Sequence, residues 1–244
     1  MRISRIFGPL AIAAVLVTPL GAQTTLGVEA GFKGYSFDAG LGPDAAQLFI
    51  VPLAARLPLT NTFQLDLYGA WARGEVERDD ATYRLSGPVD TQIKASWTAK
   101  PWAILSVGVT APTGKESHDA SEAVVAAVLS TDLLGFREAT WGTGFAVTTG
   151  LATARRVGGW GLGLGASYRL TQGFQPAANQ DLTYEPGSEM RVRLGADRNV
   201  GETGKLSAGV TVQSFTEDRV DGRNLFQSGN RLMVDGSYAF RMGS

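Results

Sequence analysis

The sequence predicts an antiparallel up-and-down β-barrel that spans a membrane, and three observations predict it. Apolar and polar side chains alternate with a period of two in segment after segment, the connections between segments alternate short and long, and tryptophans fall at segment ends. The 244 residues include 31 glycines and no cysteine, and only 18 % are charged, below the roughly 25 % of ordinary soluble domains. Mean hydropathy is zero, and past the N-terminus no apolar run approaches the roughly 20 residues of a spanning helix, which excludes a helical membrane protein. A net charge of -1 without a basic cluster excludes nucleic acid as a partner, because phosphate binding requires clustered cations. Nothing in the residue pattern calls for a cofactor or a metal.

The N-terminus reads as an export signal. Arg2 and Arg5 precede an apolar stretch from Ile6 to Leu16, and Pro19-Leu20-Gly21-Ala22 offers a small-residue cleavage point before Gln23. Residues 1–22 are accordingly expected to be a signal peptide and residues 23–244 the barrel. From Leu26 the alternation begins: Leu26, Val28, Ala30 and Phe32 share one face, while Gly27, Glu29, Gly31 and Lys33 share the other. The same rule groups Phe49 to Leu57, Phe63 to Trp71, Val89 to Trp97, Ala103 to Val109 and Phe145 to Leu151 at alternate positions. It continues through Trp160 to Leu170, Met190 to Ala196, Leu206 to Val212 and Leu232 to Phe240.

About ten strands result, an even number that puts both ends on one side of the membrane. The ending is unusual, because Phe240 is followed by Arg241-Met242-Gly243-Ser244, and a missing final hairpin would raise the number to twelve. Connections at Leu59–Thr62, Lys100–Pro101, Thr153–Gly159 and Val200–Gly204 are short. Those at Asp38–Ala46, Glu75–Ser86, Gly114–Ala139, Gln172–Gly187 and Glu217–Gly229 are long, the asymmetry of periplasmic turns against extracellular loops. Trp71, Trp97, Trp141 and Trp160 are expected at the two membrane interfaces, where an indole meets both headgroups and hydrocarbon.

The alternation also assigns the interior. Glu29, Lys33, Arg56, Asp66, Asp90, Lys94, Arg169, Glu189, Arg191, Arg193, Asp197, Arg231, Asp235 and Arg241 are expected to face the lumen. A charge on the lipid face costs about 2–4 kcal/mol at mid-membrane, so this segregation itself supports the barrel. Two readings of the mixed charge stay open. Carboxylates and guanidinium groups pair across a narrow interior, or an excess of arginine, above all Arg191 and Arg193, lines a path for anionic solutes such as aromatic carboxylates.

In the long connection after Lys115, Asp119-Ala120-Ser121-Glu122 has the form of a capping box ahead of an apolar run to Leu129, with Gly135 as a stop. It predicts a helix whose Val124, Val125, Val128 and Leu129 share a face and pack into the mouth or against the rim; a further strand pair above the membrane is the other reading.

Two stretches resemble a known family: Gly87-Pro88-Val89-Asp90-Thr91-Gln92-Ile93-Lys94, and Leu105 through Gly108-Val109-Thr110-Ala111-Pro112-Thr113-Gly114-Lys115. They are similar to the MetA-pathway phenol-degradation family of outer-membrane transporters, which carries a Gly-x-x-Asp stretch entering one strand and a Gly-x-x-x-Pro-Thr-Gly run leaving the next. The resemblance covers about thirty residues. It implies an outer-membrane barrel that transports aromatic or other hydrophobic compounds, with outer-membrane lipid, a small solute and the barrel assembly machinery as partners. Read on their own, Pro112 ends a strand and Thr113-Gly114 turns the chain into its longest loop.

The expected function is therefore a channel or transporter for small solutes and not an enzyme. A structural or adhesive barrel without an open pore is the alternative. A hydrolase is the more distant one, resting on the single histidine, His118, beside Asp119, and on Asp79-Asp80 in another loop.

Overall fold

Period two becomes a ladder in which neighbours in sequence are neighbours in space. The computed structural model describes residues 24–37, 43–115, 117–129, 141–178, 181–201 and 203–240. The expected signal peptide, Gly135 and Arg241 lie outside the described residues.

The main sheet is antiparallel throughout. Its strands are β1 (Thr25–Val28), β2 (Gly31–Ser36), β3 (Ala45–Pro58), β4 (Phe63–Arg78), β5 (Ala81–Pro88), β6 (Thr91–Lys100) and β7 (Ala103–Ala111). After the helix α1 (Ala120–Leu129) come β8 (Ala146–Val157), β9 (Trp160–Thr171), β11 (Glu189–Val200), β12 (Gly204–Phe215) and β15 (Asn230–Phe240). The path β1-β3-β4-β6-β7-β8-β9-β11-β12-β15 has ten positions, the up-and-down order of a membrane barrel. Among the described residues no pairing joins β15 to β1 or β2, so the seam of the barrel carries no ladder there.

Two interruptions of the ladder have local causes. β1 and β2 pair with β3 in one unbroken register, Val28 opposite Leu53 and Gly31 opposite Ile50. They part at Glu29 because its partner is Pro52: the Glu29 N–H donates to the Pro52 carbonyl at 3.3 Å, and proline has no N–H to return. β5 and β6 are likewise one strand beside β4, but their registers differ by one, Trp71 opposite Pro88 and Tyr68 opposite Gln92. Asp90 is the extra residue of this bulge.

The bulge corrects one expected face. Unbroken alternation puts Val89 outward with Thr91 and Ile93, whereas Val89 is buried in the inner core because parity changes at Asp90.

The long connections are more structured than their composition implies. The segment Glu75–Ser86 is a hairpin extending β4 and β5 beyond the sheet, turned at Asp79 and Asp80, whose φ values of 52° and 62° suit a two-residue primed turn. Glu217–Gly229 holds the hairpin of β13 (Glu217–Val220) and β14 (Arg223–Gln227), to which β10 (Tyr184–Glu185) adds a third strand. At the opposite end the connections are short, with Gly158 and Gly201 at φ of 60° and 64° in two of the turns. Both β1 and β15 have an end on this short-turn side, since Thr25 pairs with Arg56 and Phe240 with Gly204.

The outward face carries the exposed large apolar side chains: Leu53, Val107, Leu151, Leu164, Leu194, Val212 and Val234 among them. Phe49 and Trp71 meet edge to face there, 6.5 Å between ring centres, and Arg73, Glu75 and Arg84 form an ion-paired group just above them. That change from rings to charges marks the upper border of the apolar band. At the lower border Arg155 lies over the Trp102 ring at 5.1 Å and Arg198 over Trp160 at 5.6 Å.

Candidate functional site

The face opposite the apolar band is the lumen wall, and the ladder assigns its residues pair by pair. On the first half of the wall, Arg56 and Asp66 are direct partners of β3 and β4, and Asp66 also pairs across to Lys94. Arg56 Nε lies 2.9 Å and Lys94 Nζ 3.8 Å from the Asp66 carboxylate, which also accepts two hydrogen bonds from the Gln64 amide. Glu29 sits at the Pro52 gap, and Lys33 lies opposite Leu48.

On the second half, Arg169 and Glu189 are cross-strand partners, and Arg191 is the partner of Gln213. Glu189 accepts from Arg191 at 2.8 Å and from the Gln213 amide at 2.9 Å. Arg193 reaches Asp235 at 2.9 Å, Lys205 reaches Asp197 at 3.2 Å, and the Arg231 guanidinium covers the Phe215 ring at 5.1 Å. Arg169 Nε is buried without a hydrogen-bond partner among the described residues.

Asp90 departs from the expectation that it lines the lumen. It is fully buried and holds the two ends of the long connection together. One carboxylate oxygen accepts the Gly114 N–H at 3.0 Å; the other accepts the Thr143 N–H at 2.7 Å and its hydroxyl at 3.2 Å. Next to it, the Thr91 N–H donates to Thr113 Oγ1 at 2.8 Å, and the Thr113 hydroxyl donates to the Val89 carbonyl. The Gly-x-x-Asp and Pro-Thr-Gly stretches, far apart in sequence, thus form one clasp. Gly114 has no room for a side chain, since a Cβ there would lie 2.7 Å from the Gly142 nitrogen and 3.0 Å from Asp90.

The clasp sends the connection inward. Asp119 caps α1 by accepting the Ser121 and Glu122 N–H groups at 2.9 and 2.8 Å, and Glu122 returns the bond to the Asp119 N–H at 3.1 Å. Glu122 is also paired with Lys115. Val125 and Leu129 are fully buried, and Val124 and Val128 pack beside them, against Leu48, Ala72, Val76 and Leu85. Those wall residues alternate with Phe49 and Trp71, so the helix lies on the lumen side at the upper end. Gly74 makes the notch: a Cβ there would collide with Leu129 and lie 2.9 Å from both Trp141 and Val125.

Trp141 therefore does not sit at a membrane interface. It is 3 % exposed and packed between α1 and the wall, in the cluster of Val125, Leu129 and Val76 and against Gly74. Trp71, Trp97 and Trp160 lie exposed on the outward face. Trp102 joins them at the lower border although alternation does not flag it, because it stands in the turn after Pro101.

His118 and Asp79-Asp80 also have positions. His118 is buried where the connection meets the chain at Pro176 and Ala178, with backbone bonds to both, while Asp79 and Asp80 form the hairpin turn. Burial pushes the His118 imidazole below its ordinary value, against smaller opposing effects from a hydrogen bond to the Trp141 backbone and from Glu122. Burial and the Asp218 carboxylate, which accepts its hydroxyl at 2.6 Å, push Tyr184 up in the neighbouring loop sheet. Among the described residues no group of three His, Cys, Asp or Glu side chains is placed to hold a metal.

No protein-family model matches the chain, and no curated protein matches it in sequence. Solved structures do. The COG4313 outer membrane channel from Pseudomonas putida F1 superposes with a TM-score of 0.52 at 17 % identity, over 82 % of this chain and 68 % of that one. A FadL homologue from Pseudomonas aeruginosa aligns over 91 % of this chain and 74 % of that one at 11 % identity, with a TM-score of 0.37. The first likeness is one of fold: this chain has the antiparallel up-and-down architecture of an outer-membrane channel barrel.

Proposed function

We propose that the protein is an outer-membrane channel that passes small solutes through a narrow, charge-lined lumen. The observation that carries this reading is the strict division of the sheet into two faces. Apolar side chains fill the outward positions between two aromatic borders, and ion pairs lie on the inward positions, an arrangement suited to lipid outside and water inside. Residues 1–22 would direct export and be removed, leaving a barrel inserted by the assembly machinery with both ends periplasmic. Aromatic or other hydrophobic compounds are the cargo implied by the resemblance to the MetA-pathway family, and the channel fold of the Pseudomonas putida protein supports a conduit over a purely structural barrel.

The docked helix favours a second reading, a sealed barrel without an open pore. Purified protein in planar bilayers separates the two. The channel reading expects discrete conductance steps from samples whose folded and boiled forms migrate differently on a denaturing gel. A bilayer that stays sealed with folded protein would support the sealed barrel.

A further inference from the structure

The two halves of the lumen wall differ in charge. On the half from β1 to β7, the inward cations Lys33, Arg56 and Lys94 face Glu29 and Asp66, a surplus of one, since Asp90 is buried in the clasp. On the half from β8 to β15, among the described residues, Arg156, Arg169, Arg191, Arg193, Lys205 and Arg231 face only Glu189, Asp197 and Asp235. The plug rests on the first half, since α1 packs against β3, β4 and β5, so among the described residues the part of the lumen that the helix leaves open is bounded by the cationic half.

We propose that a cavity on this half binds and passes small organic monoanions, carboxylates foremost. The proposal rests on the channel reading above and names its substrate class. The cavity, about 510 Å³, is lined by Arg156, Arg193 and Lys205 together with Asp197 and Asp235. That volume falls within the range of small-molecule sites.

Three features make it fit a carboxylate. First, glycines let the charged side chains lie flat along the wall: a Cβ on Gly209 would come within 2.8 Å of Arg193 Nη2, and one on Gly161 within 2.9 Å of Asp197 Oδ1. The cavity stays open because those positions have no side chain. Second, the Arg193–Asp235 and Lys205–Asp197 pairs are about half exposed, so water screens them and an entering carboxylate can exchange for the protein's own. Arg156 makes no ion pair among the described residues and offers a two-pronged donor. Third, between these groups the cavity is floored largely by Ala154, Gly163 and Gly195, with the Ser207 hydroxyl beside Asp197, a mostly apolar surface that suits the body of an organic acid better than a hydrated inorganic ion. A surplus of cations between low-dielectric walls also raises the local anion concentration.

The test is ion selectivity in planar bilayers. Under a potassium chloride gradient the reversal potential should show chloride preferred over potassium. Millimolar benzoate should reduce the chloride current while benzyl alcohol does not. Arg156→Glu should move the permeability ratio toward unity and weaken the benzoate effect, Arg156→Gln should do so partly, and Arg78→Glu, in the hairpin above the membrane, should do neither. Folding of each variant is read from its heat-modifiable gel mobility, and the glutamine variant keeps the test open if the glutamate one does not fold. A conducting pore with no anion preference, or one whose ratio and benzoate response ignore both Arg156 substitutions, overturns this proposal and leaves the channel reading standing. A sealed bilayer overturns both.

Discussion

The two halves of the lumen wall use their inward positions in opposite ways. Along β3 and β4 the upper inward residues are Ala46, Leu48, Ile50, Ala72 and Val76, an apolar patch that would be misplaced facing water and is covered by α1 and Trp141. Along β9, β11 and β12 the inward residues include Gly163, Gly165, Gly195 and Gly209, flanked by Arg169, Arg191 and Arg193, and among the described residues α1 does not pack on them. The first half thus binds part of its own chain, and the second leaves space bordered by charge. In the proposed channel, a lumen narrowed from one side keeps its path against a wall of one polarity, which couples the position of the plug to the solutes the path would prefer.

That contrast can be broken most severely at Trp141. Truncation of a buried tryptophan costs about 3–5 kcal/mol, so Trp141→Ala should undock α1, seen as fast amide exchange across Ala120–Leu129, while the heat-modifiable mobility of the barrel persists. If the helix amides stay protected, the plug does not depend on that side chain. Next comes the distinction between the two faces. Leu164→Arg, outward on β9, should destabilise insertion into bilayers by about 2–4 kcal/mol, whereas Ser237→Arg at an exposed inward position of β15 should cost clearly less. Equal losses in equilibrium refolding would contradict the assignment of faces.

The clasp is the third target. Asp90→Ala strands the buried Gly114 and Thr143 donors, a loss of about 1–3 kcal/mol for each group left unsatisfied. Proteolysis within 114–143 should accelerate, and channel conductance should rise as the plug loosens. An unchanged cleavage rate would mean the clasp holds nothing.

The smallest effect concerns pH. Burial holds His118 below its ordinary value, so the undocked loop binds more protons than the docked one between the two values. Docking is then at full strength above about pH 6.5, weakens as pH falls through the window below it, and levels off once the docked ring is also protonated. Lys115, Asp119 and Glu122 are the charged groups acting on the ring. Amide exchange of α1 measured against pH should show this slope, and His118→Gln should flatten it.

Much of this was legible in the residues. The alternate positions of Met190 to Ala196 and Leu206 to Val212 read correctly as outward because side-chain direction in a strand depends only on parity. The capping box at Asp119 read correctly because its hydrogen bonds join residues three apart. Val89 read wrongly because a single bulge residue reverses parity; Gly87-Pro88 hints at an irregularity there, but only the register beside β4 shows that one residue is extra. Asp90 read as lumenal for the same reason, and Trp141 as interfacial because a tryptophan before a strand looks alike whether the preceding chain lies outside the barrel or within it.

The sequence alone therefore determined the membrane-spanning architecture, the two faces and the helix, since each follows from neighbours along the chain. Only the tertiary structure decided that the Gly-x-x-Asp and Pro-Thr-Gly stretches close on each other, that Gly74 makes room for the plug, and that the surplus of arginine lies on the half other than the one α1 packs against. Those facts depend on register between distant strands and on where a long connection folds back, and neither leaves a periodic trace in the chain.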